Sequence, residues 1–132
     1  MTYREYDNFT ITRTTGGTIP NLPFFGIKKA ILGSKYDLEL SFVTLQEATR
    51  LHKEYENKKG PANILSFPLD TQSGQMMMSL QTLRQEAPEF EHTYHEHLVF
   101  MFIHGCTHLL GYDHGTEMEA IEQKFRKKFI SN

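Results

Sequence analysis

A chain of 132 residues with 39% hydrophobic and 23% charged side chains carries apolar material for one core of ordinary size. The formal charge of −2 gives no global pull toward nucleic acid, and the single cysteine, Cys106, excludes an intramolecular disulfide. No apolar run reaches the ~20 residues that cross a bilayer, and the opening MTYREYDNFT has no signal-peptide core. A cytoplasmic protein without membrane insertion is expected.

In chain order, NFTITRTT alternates apolar and polar at Phe9, Ile11 and Arg13, which predicts a half-buried strand. PFFGIKKAIL reads as a short helix ended by Gly33, and YDLELSFV as a second strand through Leu38, Leu40 and Phe42. Thr44, with Glu47 three places on, predicts a capped helix to about Asn57 that turns Leu45, Ala48, Leu51 and Tyr55 to one face. After the KKGPA loop, NILSFPL predicts a strand that Pro68 confines to an edge or a strand end. Beyond the TQSG turn, MMMSL predicts another strand, although Met76 to Met78 also suit the start of a helix. LQTLRQEA stops at Pro88, and a second capping box, Thr93 with Glu96, opens a long helix that runs to Gly111. A third, Thr116 with Glu119, is expected to open the last helix, with Met118, Ile121, Phe125 and Phe129 as its inward stripe. Strands mixed with helices predict an α+β layer fold in a single domain over 1–132.

The chemistry concentrates in HGCTHLLGYDH. His104 and His108 stand four apart in the long helix, so their rings leave one face about a turn from each other. Gly111 can adopt the positive φ that ends a helix and turns the chain back, which brings His114 round as a third ligand. Three neutral imidazoles favour Zn2+, with nickel or cobalt as substitutes and copper also chemically acceptable. Three protein ligands leave a fourth position for water, the arrangement of a catalytic rather than a structural zinc site. Cys106 lies two places from either helical histidine and points elsewhere, as a packing residue.

The rhythm His, His, Gly, His is similar to the metzincin metalloproteases, HExxHxxGxxH, but Gly105 stands where their general-base Glu would be. Asp113 and Glu117 are offset in sequence, and Asp113 reads as a turn residue or a partner of a ligand. A peptidase of standard mechanism loses its base.

With these residues in view, the chain resembles the YbeY family of metal-dependent endoribonucleases. The family hallmark HGxxHLxGYDH is matched from His104 to His114, and NILSFP, Asn63 to Pro68, is similar to the family's (D/N)VLSFP strand. The likeness runs from about Tyr36 to the end of the chain. It implies a mixed, about four-stranded sheet packed against helices in a metzincin-like arrangement, with zinc held by His104, His108 and His114 and acting through its water. It also implies cleavage of single-stranded RNA in ribosomal RNA maturation at the small-subunit 3′ end, ribosome quality control, and the small ribosomal subunit as partner. Two positions depart from the family: Glu56 stands where members carry an Arg, and GQM replaces the usual GDI. Ser66, beside the site in that geometry, is expected to hydrogen-bond backbone or substrate, and Lys58 and Lys59 to supply phosphate contacts near Glu56. His97, two turns before His104, either reaches the cleft or is a hydrogen-bonded structural histidine, as are His52, His92 and His95. Two rival readings remain open: a non-catalytic zinc-containing ribosome biogenesis factor, and a metallopeptidase.

Overall fold

The run Met76-Met77-Met78 has no alternation, yet it is extended, because both faces of its strand are covered. The computed structural model describes residues 2–130. Strands β1 (Thr2–Tyr6) and β2 (Phe9–Arg13) are followed by helix α1 (Phe24–Leu32), β3 (Asp37–Phe42), α2 (Leu45–Glu56), β4 (Ile64–Asp70) and β5 (Ser73–Met78). Helix α3 (Leu80–Glu86), a 3-10 turn over Ala87–Phe90, α4 (Tyr94–Leu109) and α5 (Thr116–Phe129) complete the order.

One mixed sheet has the order β1-β2-β3-β5-β4. β2, β3 and β5 run parallel, while β1 and β4 are antiparallel edges. Pro68 sits on the edge strand β4, where its missing N–H leaves the central ladder intact. The sheet has five strands rather than about four. The extra one is β1, which pairs with β2 through the tight turn at Asp7 and Asn8, with Tyr6 opposite Phe9.

Phe9, Ile11, Leu38, Leu40, Phe42, Met76 and Met78 turn to one face and meet α1 and α4. There Phe102 of α4 packs edge-on to Phe24, with ring centroids 5.1 Å apart. Each such fully buried Phe, Leu or Ile contributes about 1.5–3 kcal/mol relative to exposure. Val43, Ala48, Ala62, Leu65 and Met77 form a second cluster on the other face, beneath α2.

Two caps differ from the sequence expectation. On α2, Thr44 accepts from the Glu47 N–H, but the Glu47 carboxylate is drawn to Arg50 three residues on rather than back to the cap. On α5 there is no capping box, because Gly115 (φ 145°) is the N-cap and Thr116 is already helical. The chain leaves His114 through a backbone angle that favours glycine, and the Gly115 carbonyl takes the Glu119 N–H directly. The α4 box is complete, with Thr93 and Glu96 exchanging both bonds.

Candidate metal centre

α4 is buried on most of its circumference, and His104 and His108 leave it at the end where the helix runs out of cover. Gly111 (φ 107°) turns the chain, returning Tyr112 beneath His108 and His114 to the open side of both rings. The ring centroids of His114 lie 5.8 Å from His104 and 5.1 Å from His108. One ligand atom from each of the three lies within 4.8 Å of the others. This group can hold a metal ion.

The hydrogen bonds fix which nitrogens face inward. His108 Nδ1 donates to the Tyr112 carbonyl at 3.1 Å, and His104 Nδ1 donates to Glu122 Oε1 at 2.7 Å. A carbonyl and a carboxylate only accept, so both Nδ1 atoms carry protons and the two Nε2 atoms are the ones turned toward a ligand. These two Nε2 atoms stand 3.2 Å apart. Burial, and then the neighbouring His104, lower the pKa of His108 and hold it neutral. The donor set suits a divalent ion.

Glu122 was not anticipated from sequence. It is 7% exposed in α5, with one oxygen on His104 and the other 3.9 Å from Arg126 Nη1. The available signal was a carboxylate breaking an apolar stripe: Met118 is buried, but the next inward turn is Glu122, while Ile121 is half-buried. The Tyr112 carbonyl is the corresponding partner on His108, and no side-chain pattern could have revealed it.

A cleft of about 720 Å³ opens on the β4 side of the triad. Tyr55, Glu56, Ser66, Phe67 and Asp113 are among its walls. The Ser66 hydroxyl donates to the Gly105 carbonyl at 3.3 Å, between strand and helix. Glu56 lies 3.3 Å from His52 Nε2. Lys58 and Lys59 are exposed beyond the end of α2 and lie outside the cleft wall. Cys106 is fully buried. His97 is fully buried as well, donating to Glu86 at 2.8 Å and facing His92, so it belongs to a core network rather than the cleft.

The family model described as Endoribonuclease YbeY matches residues 21–132. The chain belongs to the YbeY family. A Nautilia profundicola protein named Endoribonuclease YbeY is 36% identical, the match covering 70% of this chain and 71% of that one. One of the same name from Aliarcobacter butzleri is 38% identical over 70% of this chain and 69% of its own. A third, from Colwellia psychrerythraea, is 33% identical over 67% of this chain, which spans 62% of that relative's length. A solution structure of a Thermotoga maritima protein superposes with a TM-score of 0.66 at 22% identity, covering 92% of this chain and 88% of that one; the likeness is one of fold. The YbeY match begins after β1 and β2, so the extra edge strand lies outside it.

Proposed function

We propose that the chain, acting as a single YbeY-like domain over 1–132, is a zinc-dependent endoribonuclease of single-stranded RNA. We place its work in the cytoplasm, in small-subunit ribosomal RNA 3′-end maturation and ribosome quality control on the small subunit. Family membership supports the reaction class. The observation that carries the metal is the convergence of ligand nitrogens from His104, His108 and His114 within 4.8 Å, with the Nδ1 atoms of His104 and His108 engaged elsewhere.

His104, His108 and His114 would hold the ion, with zinc favoured by three imidazoles and nickel or cobalt as substitutes. Such an ion supplies Lewis-acid polarisation of the phosphodiester and makes water a usable nucleophile near neutral pH. Glu122 and the Tyr112 carbonyl orient two of the rings and set their tautomers. Ser66 presents a hydroxyl to the strand in the cleft, and Lys58 and Lys59 meet phosphates outside its wall. Asp113 lines the cleft and is exposed.

The test is cleavage of a labelled single-stranded RNA by the zinc-loaded protein, with and without chelator, beside His108→Ala. Cleavage that chelation abolishes, zinc restores and His108→Ala lacks is the expected result. A second reading is favoured by Glu56 in the cleft wall, where a carboxylate repels phosphate: a ribosome biogenesis factor that holds zinc without catalysis. Zinc bound at full occupancy with no cleavage of RNA would select it.

A further inference from the structure

The triad stands between two hollows. Beside the cleft on its β4 side, a second hollow of about 480 Å³ lies on its α5 side, lined by Phe90, Phe100 and Arg126 among others. Asn63, Met101, His104 and His114 border both. The two hollows therefore adjoin at the triad.

Charge across the two hollows is uneven. The cleft wall contains Glu56 and Asp113 and no Lys or Arg among the described residues. In the second hollow the single Lys or Arg among the described residues is Arg126, with Glu119 and Glu122 as the acids. The Arg126 guanidinium lies 5.0 Å over the Phe100 ring. At 3.9 Å from Glu122 it makes an ion-pair contact without a hydrogen bond, so its donor fork is available to a ligand. Phe90 is 47% exposed, with its ring centroid 5.9 Å from that of Phe100. A part-exposed aromatic ring, packed against His97 at 4.7 Å, beside a guanidinium with N–H donors to spare is the pairing that holds a base and its phosphate in single-strand sites.

We propose that Phe90, Phe100 and Arg126 form a nucleotide subsite next to the scissile position: one base packs on Phe90, and Arg126 takes the adjoining phosphate. This rests on the RNA-cleaving reading. Glu119 on the same wall opposes a second phosphate, which sets the capacity at one nucleotide. This phosphate contact on α5 adds to those of Lys58 and Lys59 beyond the end of α2.

The zinc-loaded full chain is titrated with a fluorescein-labelled 2′-O-methyl decauridylate, whose intactness is checked on a gel at each point, between about 50 and 200 mM salt. Zinc content is measured for every variant. Arg126→Gln is expected to weaken binding several-fold and lower the log–log salt slope by about 0.7, the share of one phosphate on a single strand. Arg126→Lys should restore the slope. Phe90→Ala is expected to weaken binding roughly 5- to 100-fold with the slope unchanged. Wild-type affinity and slope in Arg126→Gln and Phe90→Ala overturn the subsite and leave RNA cleavage standing; failure of the unmutated protein to bind the oligomer overturns both. If Arg126→Gln loses its zinc, Phe90→Ala decides, and unchanged affinity there overturns the subsite.

Discussion

A β-carbon at position 105 would lie 2.7 Å from Ile64 Cδ1 and 2.7 Å from Met76 Cε, closer than carbon atoms pack. α4 approaches β4 and β5 at this point, and glycine is what lets it. The space beside the position of the metzincin glutamate is thus filled by the ends of the Ile64 and Met76 side chains. Gly105→Ala gains about 1 kcal/mol of helix propensity and incurs about 1–3 kcal/mol of overpacking. Both neighbours are the ends of flexible side chains that can shift, so a change within about 1 kcal/mol in urea unfolding is expected; a loss of several kcal/mol would show that the packing around α4 cannot give. Glu122→Gln keeps an acceptor but removes the charge opposite His104, and zinc affinity should fall roughly 10- to 100-fold in competition with a chromophoric chelator. Unchanged affinity would reduce Glu122 to packing. The triad was legible because its spacing is local, four residues along one helix and a glycine bend. Glu122 was not, because it reaches His104 from another helix, 18 positions away.

Among the elements, caps separate what sequence shows from what geometry decides. Thr93→Ala breaks the reciprocal box of α4 and is expected to cost about 1 kcal/mol. Thr116→Ala should stay within about 0.5 kcal/mol, since Gly115 already caps α5. Thermal or denaturant unfolding of the two variants side by side checks this, and equal losses would restore a Thr116 cap. The two threonines look alike in sequence, each followed by Glu three places on, and only the φ of the preceding glycine tells them apart. The helical periodicity of α2 and the alternation of β2 and β3 were readable because each has one covered face, whereas α4, buried on most of its circumference, was readable from its capping box and glycine stop. β1 is exposed along most of its length and shows no such stripe. Its signal was the turn, where Asn8 takes a left-handed φ of 57° between Tyr6 and Phe9.

For the molecule as a whole, the core includes one charge that opposes folding. Lys28 of α1 is fully buried, and its Nζ reaches only the Ser34 carbonyl, at 3.4 Å. Burial lowers its pKa, with Asp37 and Cys106 partly opposing. Between the lowered folded value and the ordinary lysine value the unfolded chain binds more protons, so stability rises with pH across that window. Below it, the full penalty of burying the ammonium remains. Lys28→Met is therefore expected to raise the urea midpoint at pH 7, with a gain that shrinks as the pH climbs toward the lysine range. A gain independent of pH would show that the charge is not its cause.

The bond from Glu122 to His104 ties the seating of the last helix to the filling of the triad. Sites joined in this way share a coupling free energy, and the coupling is reciprocal. An ion in the triad tightens α5 by the factor by which a seated α5 tightens the ion. α5 also carries Arg126, so a strand drawn into the second hollow would pull on the same equilibrium. Metal retention, helix docking and strand capture then become three handles on one balance, and a loosened helix end would register first as a leaking ion.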